Sequence, residues 1–185
     1  MNITIPNAII SYPNLFTAKQ VNNQGAPKYS AAFIIRADNP KLKELVAAAS
    51  DLTAKAYPDG VPHNFKTLPL CKGEVYQDGK HKNDPIYQGA YVLNTSKDAA
   101  QGKPSVVDGN MQPVLDPGKV YPGLVVNVAV SVYTYKNVSK GVTTGLEAVQ
   151  IVRDGERLDN KPSVNELFKP IDVIETGGGN VDPLG

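Results

Sequence analysis

Apolar and polar residues alternate strictly along the stretch "NVAVSVYTYKN", residues 127–137. Val128, Val130 and Val132 fall on one side of an extended chain, because successive side chains of a strand point to opposite faces. Period-two alternation of this kind predicts a strand with one buried face. The opposite side carries Tyr133 and Tyr135, so the face that points away from the predicted core is aromatic.

The same pattern predicts other strands along the chain. They span residues 2–12, 28–37, 86–96, 122–136 and 142–152, with a short extended piece at 105–108. Gly145 interrupts the last long strand and indicates a bulge or a close approach of another backbone. Loops are expected at residues 14–27 and 58–86, and the second is long enough to suggest a function.

Residues 38–57 predict one helix, placed between the second and third strands. Its apolar residues recur at helical spacing: Leu42, Leu45, Val46, Ala49, Leu52 and Ala56. Asp38 or Asn39 is suited to cap this helix, and Pro40 fits its first turn. A second, short helix is expected where Ser163 and Glu166 form a capping box.

Several short strands separated by turn residues are typical of a barrel or a sandwich. We expect a mainly β barrel with one inserted helix and long loops. Residues 1–170 are predicted to form a single domain, and residues 171–185 a flexible, mildly acidic tail.

Charge and targeting signals exclude few classes of function. Residues 1–169 hold all 19 Lys and Arg and 15 of the 18 Asp and Glu, a net charge of +4, whereas residues 170–185 carry −3. The N-terminal residues do not have the form of a signal peptide, and no run of 18 apolar residues occurs. A single cysteine excludes an intrachain disulfide and fits a reducing compartment. A cytoplasmic location is expected.

No metal or catalytic site is predicted. His63, Cys71 and His81 do not follow any zinc-ligand spacing. The chain lacks a phosphate-binding loop, a nucleophile motif and a paired-carboxylate signal. The sequence therefore predicts neither a cofactor nor an enzyme.

Tyrosines and lysines cluster on two of the predicted strands. A single surface tyrosine usually has a structural role, but Tyr133 and Tyr135 share one face, and Tyr87 and Tyr91 share another across Gly89. Lysines follow both pairs, namely Lys97, Lys103, Lys136 and Lys140.

Aromatic faces beside flexible cations suit single-stranded nucleic acid. Unpaired bases stack on aromatic rings without regard to sequence, and lysines neutralise phosphates. Duplex DNA hides its base faces, and the chain shows no motif of a recognition helix.

A set of motifs then appears in a fixed order: "SYPNLF", "KYSAAFII", "YQGAYVLNTSK", "KPSVVD", "QPVLDPGKVYPGLVVNVAVSVYTY" and "KGVTTGLEAVQIVRDGERL". Together they resemble the phage and prophage single-stranded DNA-binding proteins long catalogued as a domain of unknown function. The resemblance covers residues 3–168.

The resemblance implies an OB-fold, a five-stranded barrel that binds single strands across one face, and a role in coating DNA during phage replication, recombination or repair. At the positions where the motifs match, the resemblance implies a first set of DNA-contacting residues: Tyr87, Tyr91, Asn94, Lys97, Tyr133, Tyr135 and Lys136. A second set comprises Tyr12, Tyr29, Arg36 and Tyr121.

Proteins of this functional class often recruit replication partners through a strongly acidic tail. This chain has only Asp172, Glu175 and Asp182 there, which weakens the expectation of such partners. Two other functions fit the same residues. One is a structural β-protein of a virion with tyrosine-rich packing faces, and the other is an OB protein directed to RNA.

Overall fold

Seven strands and one long helix make up the fold in the computed structural model, which describes residues 1–21, 24–162 and 167–169. The helix α1 spans Lys41–Ala56. The strands are β1 Asn2–Val21, β2 Gln24–Arg36, β3 Leu70–Lys72, β4 Ala90–Asp98, β5 Ser105–Val107, β6 Val125–Lys136 and β7 Lys140–Arg153. Their order in the sheet is β3-β4-β2-β1-β6-β7-β5.

Five of these strands close into a barrel. Antiparallel pairing joins β4, β2, β1, β6 and β7 in turn. The circle closes where β4 meets β7 in parallel, with Ser96 opposite Gly145. β3 pairs with β4, and β5 pairs with β7. The predicted five-stranded barrel with one inserted helix is confirmed, and the strand connectivity is that of an OB-fold.

The barrel interior is filled by the residues that alternate inward. Val128 and Val130 are fully buried, as the sequence pattern predicted, and they pack in one cluster with Phe33, Leu93 and Leu146. Burying such side chains is the main stabilising term of the fold. The tyrosine side of β6 is left on the outside as a consequence.

Helix α1 covers the interior from one side through Leu42, Leu45 and Ala49, which are buried, whereas Val46 is half-exposed. Its N-terminus follows the expected capping, since Asn39 Oδ1 accepts a hydrogen bond of 3.0 Å from the backbone N–H of Lys41. Within the described ranges, no helix is long and apolar enough to cross a membrane.

The first hairpin is longer than predicted. Residues 14–27 were expected to form a loop, but β1 and β2 continue through most of this range, with Lys19 opposite Lys28 and Val21 opposite Gln24. The prediction failed because a backbone ladder needs no apolar face once the strands have left the core. Residues 22 and 23 lie outside the described ranges.

The connection between α1 and β4 is mostly irregular, as predicted. Within it, Leu70–Lys72 joins the sheet as β3, and Lys66 forms an isolated bridge with Gly141 of β7. β4 begins at Ala90, four residues later than expected. The capping box at Ser163 and Glu166, and the tail at 171–185, fall outside the part of the chain that the structure describes.

Gly145 shows the predicted close approach. A Cβ on this residue would lie 2.5 Å from Ser131 Oγ of the neighbouring strand, well inside contact distance. The bulge occurs nearby, where the register between β6 and β7 shifts between Ala129 and Val130. The missing side chain leaves room for the side chains of Ser131 and Tyr133 on β6.

Candidate nucleic-acid interface

An open groove of about 440 Å³ lies across the outer face of the barrel. It runs from β1 over β2 and β4 to the start of β7. Its lining is mainly polar: Tyr12, Asn14, Ser30, Ala31, Ala32, Pro69, Tyr76, Gln77, Asn94, Thr95, Ser96 and Thr143. A polar floor with tyrosines at its edge can form hydrogen bonds and can also stack flat rings.

One wall of the groove is the segment 73–89, here called the wall loop. Three of its rings are nearly parallel and form a ring stack of Tyr76, His81 and Tyr87. The His81 and Tyr87 centroids are 4.1 Å apart, and those of Tyr76 and Tyr87 are 6.0 Å apart. The stack packs on the outer face of β2 and β4 through Ala32 and Val92. The wall loop is therefore anchored by its own small core.

Tyr87 is the innermost ring of the stack. It is 1% exposed, and its hydroxyl forms a hydrogen bond of 2.8 Å with Ser11 Oγ. Burial raises the pKa of Tyr87 to about 12, because the ionised form would be poorly solvated.

Tyr12 closes the groove on the β1 side. Its backbone has a φ of 49°, which is unusual for a residue other than glycine, and β1 shifts register immediately after Ser11. Its hydroxyl donates to Gln77 Oε1 at 3.1 Å, lies 2.9 Å from His81 Nε2 and accepts from Lys80 Nζ at 3.4 Å. These contacts hold an aromatic ring, 40% exposed, beside the wall loop.

Asn94 lies on the exposed floor of the groove. Its side-chain Oδ1 accepts a hydrogen bond of 3.1 Å from the Tyr76 hydroxyl. Its backbone N–H donates to Pro69 O at 2.9 Å, and its carbonyl accepts from Thr144 Oγ1 at 3.0 Å. The residue is fixed on three sides, with its amide NH2 group on the groove side of these bonds.

The opposite end of the groove leads to the tyrosine face of β6. Thr143, which lines the groove, pairs directly with Tyr133. The Tyr133 ring is 45% exposed. Tyr135 is half-buried on the same face, and its hydroxyl lies 2.7 Å from the place where Gly141 would carry a Cβ. Aromatic surface thus continues past the polar floor.

The cations around the groove differ in their surroundings. Lys80 Nζ lies 5.7 Å from the Tyr12 ring centroid. Lys97 forms an ion pair of 3.5 Å with Glu147, whose pKa is lowered by a hydrogen bond from Ser131 and by the Lys97 charge. Lys103 and Lys140 are exposed. Lys80 donates to the groove-lining Tyr12, and Lys140 begins β7, the strand that carries Thr143 of the groove lining.

A profile of the family described as "Enterobacter phage Enc34, ssDNA-binding protein" matches residues 1–177. The chain belongs to this family. A relative, protein p50 of Acyrthosiphon pisum secondary endosymbiont phage 1, is 30% identical over 161 residues, covering 84% of this chain and 85% of p50. The family predicted from the ordered motifs is confirmed.

Solved structures share the fold. The single-stranded DNA-binding protein of bacteriophage Enc34 in complex with ssDNA is 22% identical, with a TM-score of 0.69 over 85% of this chain and 89% of that one. The single-stranded DNA-binding protein gp2.5 of bacteriophage T7 is 18% identical, with a TM-score of 0.60 over 88% and 97% of the two chains.

Three residues of the first predicted set of DNA-contacting residues lie in surroundings other than those that were expected. Tyr87 is buried, so its faces are not available to a base without movement of the wall loop. Tyr91 packs beside α1 with Leu42 and Val46, on the side away from Asn94. Lys136 Nζ donates to Ala56 O and lies 4.9 Å from the Tyr57 ring centroid. It therefore caps α1 rather than extending from the tyrosine face.

The second set is scattered. Of its four members, only Tyr12 lines the groove. Arg36 forms an ion pair with Asp38 at the far end of β2. The Tyr121 hydroxyl donates to Asp154 Oδ1 at 2.9 Å, beside Arg157. Tyr29 is half-buried and pairs with Lys97.

Sequence reasoning missed the wall loop residues Tyr76, Gln77, Lys80 and His81. They occur in "EVYQDGKHK", a polar segment without strand or helix periodicity. The available signal was the length of the loop, because long ordered loops are often functional. His81 contributes a stacked ring. In the described ranges, no group of three or more His, Cys, Asp or Glu side chains could hold a metal ion.

Proposed function

We propose that this chain binds single-stranded DNA, without dependence on sequence, along the groove between Tyr12 and Tyr133. Membership of the Enc34 family and the likeness to a fold solved with ssDNA support this function. The observation that carries it is the open groove on the barrel's strand face, with an exposed tyrosine ring at each end.

The tyrosine rings are proposed to stack unpaired bases. Each stacked base contributes about 1–3 kcal/mol and is accepted whatever its identity, since every base has a π-face. Tyr12 and Tyr133 offer the most exposed rings of the predicted set, with Tyr135 beyond Tyr133. A duplex keeps its base faces stacked, and it is therefore expected to bind much more weakly.

Exposed lysines are proposed to follow the phosphates. Lys80 contacts the groove-lining Tyr12, Lys140 begins β7, the strand that carries Thr143 of the groove lining, and Lys103 follows β4 as an exposed residue. Lys97 is already paired with Glu147, so its charge is partly neutralised before DNA arrives.

Finer features of the role rest on the family alone. We infer a non-enzymatic coating protein of phage replication, recombination or repair, acting in the cytoplasm of the bacterial host. Contact with phage replication proteins through Asp172, Glu175 and Asp182 is part of the same proposal. The alternative of a virion structural protein finds no support in the comparisons, since the family and both solved neighbours are described as ssDNA-binding.

Fluorescence anisotropy with a labelled dT 30-mer tests the proposal. We expect tight binding that weakens with added salt, and far weaker binding to a matched 30-base-pair duplex. Competition by unlabelled rU of the same length measures the preference between DNA and RNA. Equal affinity for the single strand and the duplex would contradict base stacking as the source of binding.

A further inference from the structure

We propose that Tyr76 is a positioning residue that orients Asn94, so that the Asn94 amide donates a hydrogen bond to the edge of one nucleobase. This inference rests on the proposed function and adds to it a polar contact within a site otherwise built for stacking. Neither the sequence motifs nor the comparisons assign a role to Tyr76.

Asn94 is held more firmly than an exposed surface residue requires. Its backbone donor, backbone acceptor and side-chain oxygen are all engaged, by Pro69, Thr144 and Tyr76 respectively. Among the described residues, its Nδ2 group has no hydrogen-bond partner. The residue nevertheless lies on an exposed floor, so the free donors face the open groove.

Tyr76 is equally well fixed. It is 8% exposed, and its ring is stacked 5.9 Å from His81 and 6.0 Å from Tyr87. A freely rotating asparagine in water gains little from being oriented, because water satisfies either end of the amide. Orientation matters when a ligand binds, because a side chain that is already oriented loses little conformational entropy on binding. This is the advantage of a preorganised site.

The hydrogen bond from the Tyr76 hydroxyl determines which hydrogen-bonding groups Asn94 offers to a ligand. Because Oδ1 is occupied, the amide offers only N–H donors, and it suits an acceptor such as a base carbonyl or ring nitrogen. Phosphate oxygens are acceptors too, and an abasic strand, which keeps the phosphates and lacks the bases, distinguishes the two. The exposed Tyr12 ring, 6.4 Å from the Tyr76 ring, stands beside this floor. A base stacked on Tyr12 therefore brings its edge into the same groove.

A double-mutant cycle tests the inference. Tyr76→Phe keeps the ring stack and removes only the hydroxyl, while Asn94→Ala removes the amide. We expect each change to weaken binding of a dT 30-mer about three- to ten-fold, the range of one neutral hydrogen bond. The double variant should bind no more weakly than Asn94→Ala alone, because Tyr76 acts through Asn94. The salt dependence should not change, since no phosphate contact is lost.

Tyr57→Phe is the matched control, because it removes a tyrosine hydroxyl that has no hydrogen-bond partner among the described residues and that lies outside the groove lining. Its affinity for DNA should equal that of the wild type. An abasic 30-mer identifies the bonded group: Asn94→Ala should have no effect on it. Additive losses in the double variant, or an undiminished effect on the abasic strand, would overturn the inference while leaving the proposed function intact. Absence of ssDNA binding by the wild type would instead overturn the proposed function.

Discussion

Two exposed tyrosine rings bracket the groove, and they reach this position by different means. Tyr133 is placed by simple alternation, because its neighbour Val132 points into the core. Tyr12 depends on a backbone with φ of 49° and on hydroxyl contacts to Gln77 and His81. The first ring is a product of strand geometry, and the second is held in place by the wall loop.

Removing either ring should weaken DNA binding. We expect Tyr12→Ala and Tyr133→Ala each to reduce the binding free energy for a dT 30-mer by about 1–3 kcal/mol, the contribution of one stacked base. Anisotropy titration measures the change. Tyr121→Phe serves as the control, because the Tyr121 hydroxyl contacts Asp154 outside the groove. Wild-type affinity in both alanine variants would exclude these rings from the site.

The buried Tyr87 predicts how stability depends on pH. Its pKa is about 12 in the folded protein against an ordinary value of 10.0. As the pH rises from 10 towards 12, the unfolded chain releases the Tyr87 proton that the folded chain retains, so the free energy of unfolding falls. Below pH 10 this residue contributes no pH dependence.

Urea unfolding at several pH values between 9.5 and 11.5 measures the effect. Tyr87→Phe should show a shallower decline than the wild type, because it lacks the ionisable group. The comparison isolates Tyr87, because the other ionisable groups are the same in both proteins. Identical slopes for the two proteins would mean that Tyr87 ionises in the folded state at its ordinary pKa.

Residue roles were predictable only where strand alternation determines them. The buried valines of β6 and the exposed Tyr133 follow directly from period two. Tyr87 was misplaced because it precedes β4, in the wall loop, so that alternation from Tyr91 does not apply to it. The contact of Lys136 with the end of α1 could not be predicted, because the two are distant in sequence.

At the scale of elements, the wall loop depends on a close backbone contact at its start. Gly73 is buried, and a Cβ there would lie 1.9 Å from the carbonyl oxygen of Tyr87. The two ends of the loop therefore touch without a side chain between them. This contact keeps the ring stack, and with it the Tyr12 contacts, against the barrel.

Gly73→Ala should detach the wall loop. We expect faster hydrogen exchange at residues 74–88 and weaker DNA binding, with exchange in β6 and β7 unchanged. Gly109→Ala is the control, since a Cβ there would approach nothing closer than 3.9 Å. Unaltered exchange in the loop of Gly73→Ala would show that the ring stack alone holds it.

The elements themselves were predictable to different degrees. The core strands and α1 have strong periodicity, and the structure contains them near their predicted positions. The outer half of the first hairpin has no apolar face, so the alternation of apolar and polar residues does not indicate the pairing of Lys19 with Lys28. The wall loop is stabilised by contacts between its own rings, which no local period encodes.

At the scale of the whole molecule, the exposed lysines that are proposed to follow the phosphates should determine the salt dependence of binding. Each phosphate contact adds about 0.7 to the log–log slope for single strands. We expect Lys80→Ala and Lys140→Ala each to lower the slope by about that amount. Lys136→Ala should leave it unchanged, because Lys136 interacts with Ala56 and Tyr57. A slope lowered by Lys136→Ala alone would place the phosphates on the other side of the hairpin.

The barrel as a whole was predictable, whereas its closure was not. Alternating strands and one amphipathic helix indicate a small β-barrel, and the ordered motifs indicate its family. The parallel contact of Ser96 with Gly145 closes the barrel. In the sequence, Gly145 indicated only a bulge or the close approach of another backbone. Long-range pairing of this kind depends on the whole chain, so a local pattern does not specify it.

The path of the DNA is tested most directly by photocross-linking. A dT 30-mer carrying 5-iododeoxyuridine is irradiated in complex with the wild-type protein, and the linked peptides are identified by mass spectrometry. We predict cross-links at Tyr12 and Tyr133, on the two sides of the groove. Cross-links confined to Tyr121 or to the surface around Arg36 would contradict binding across this face.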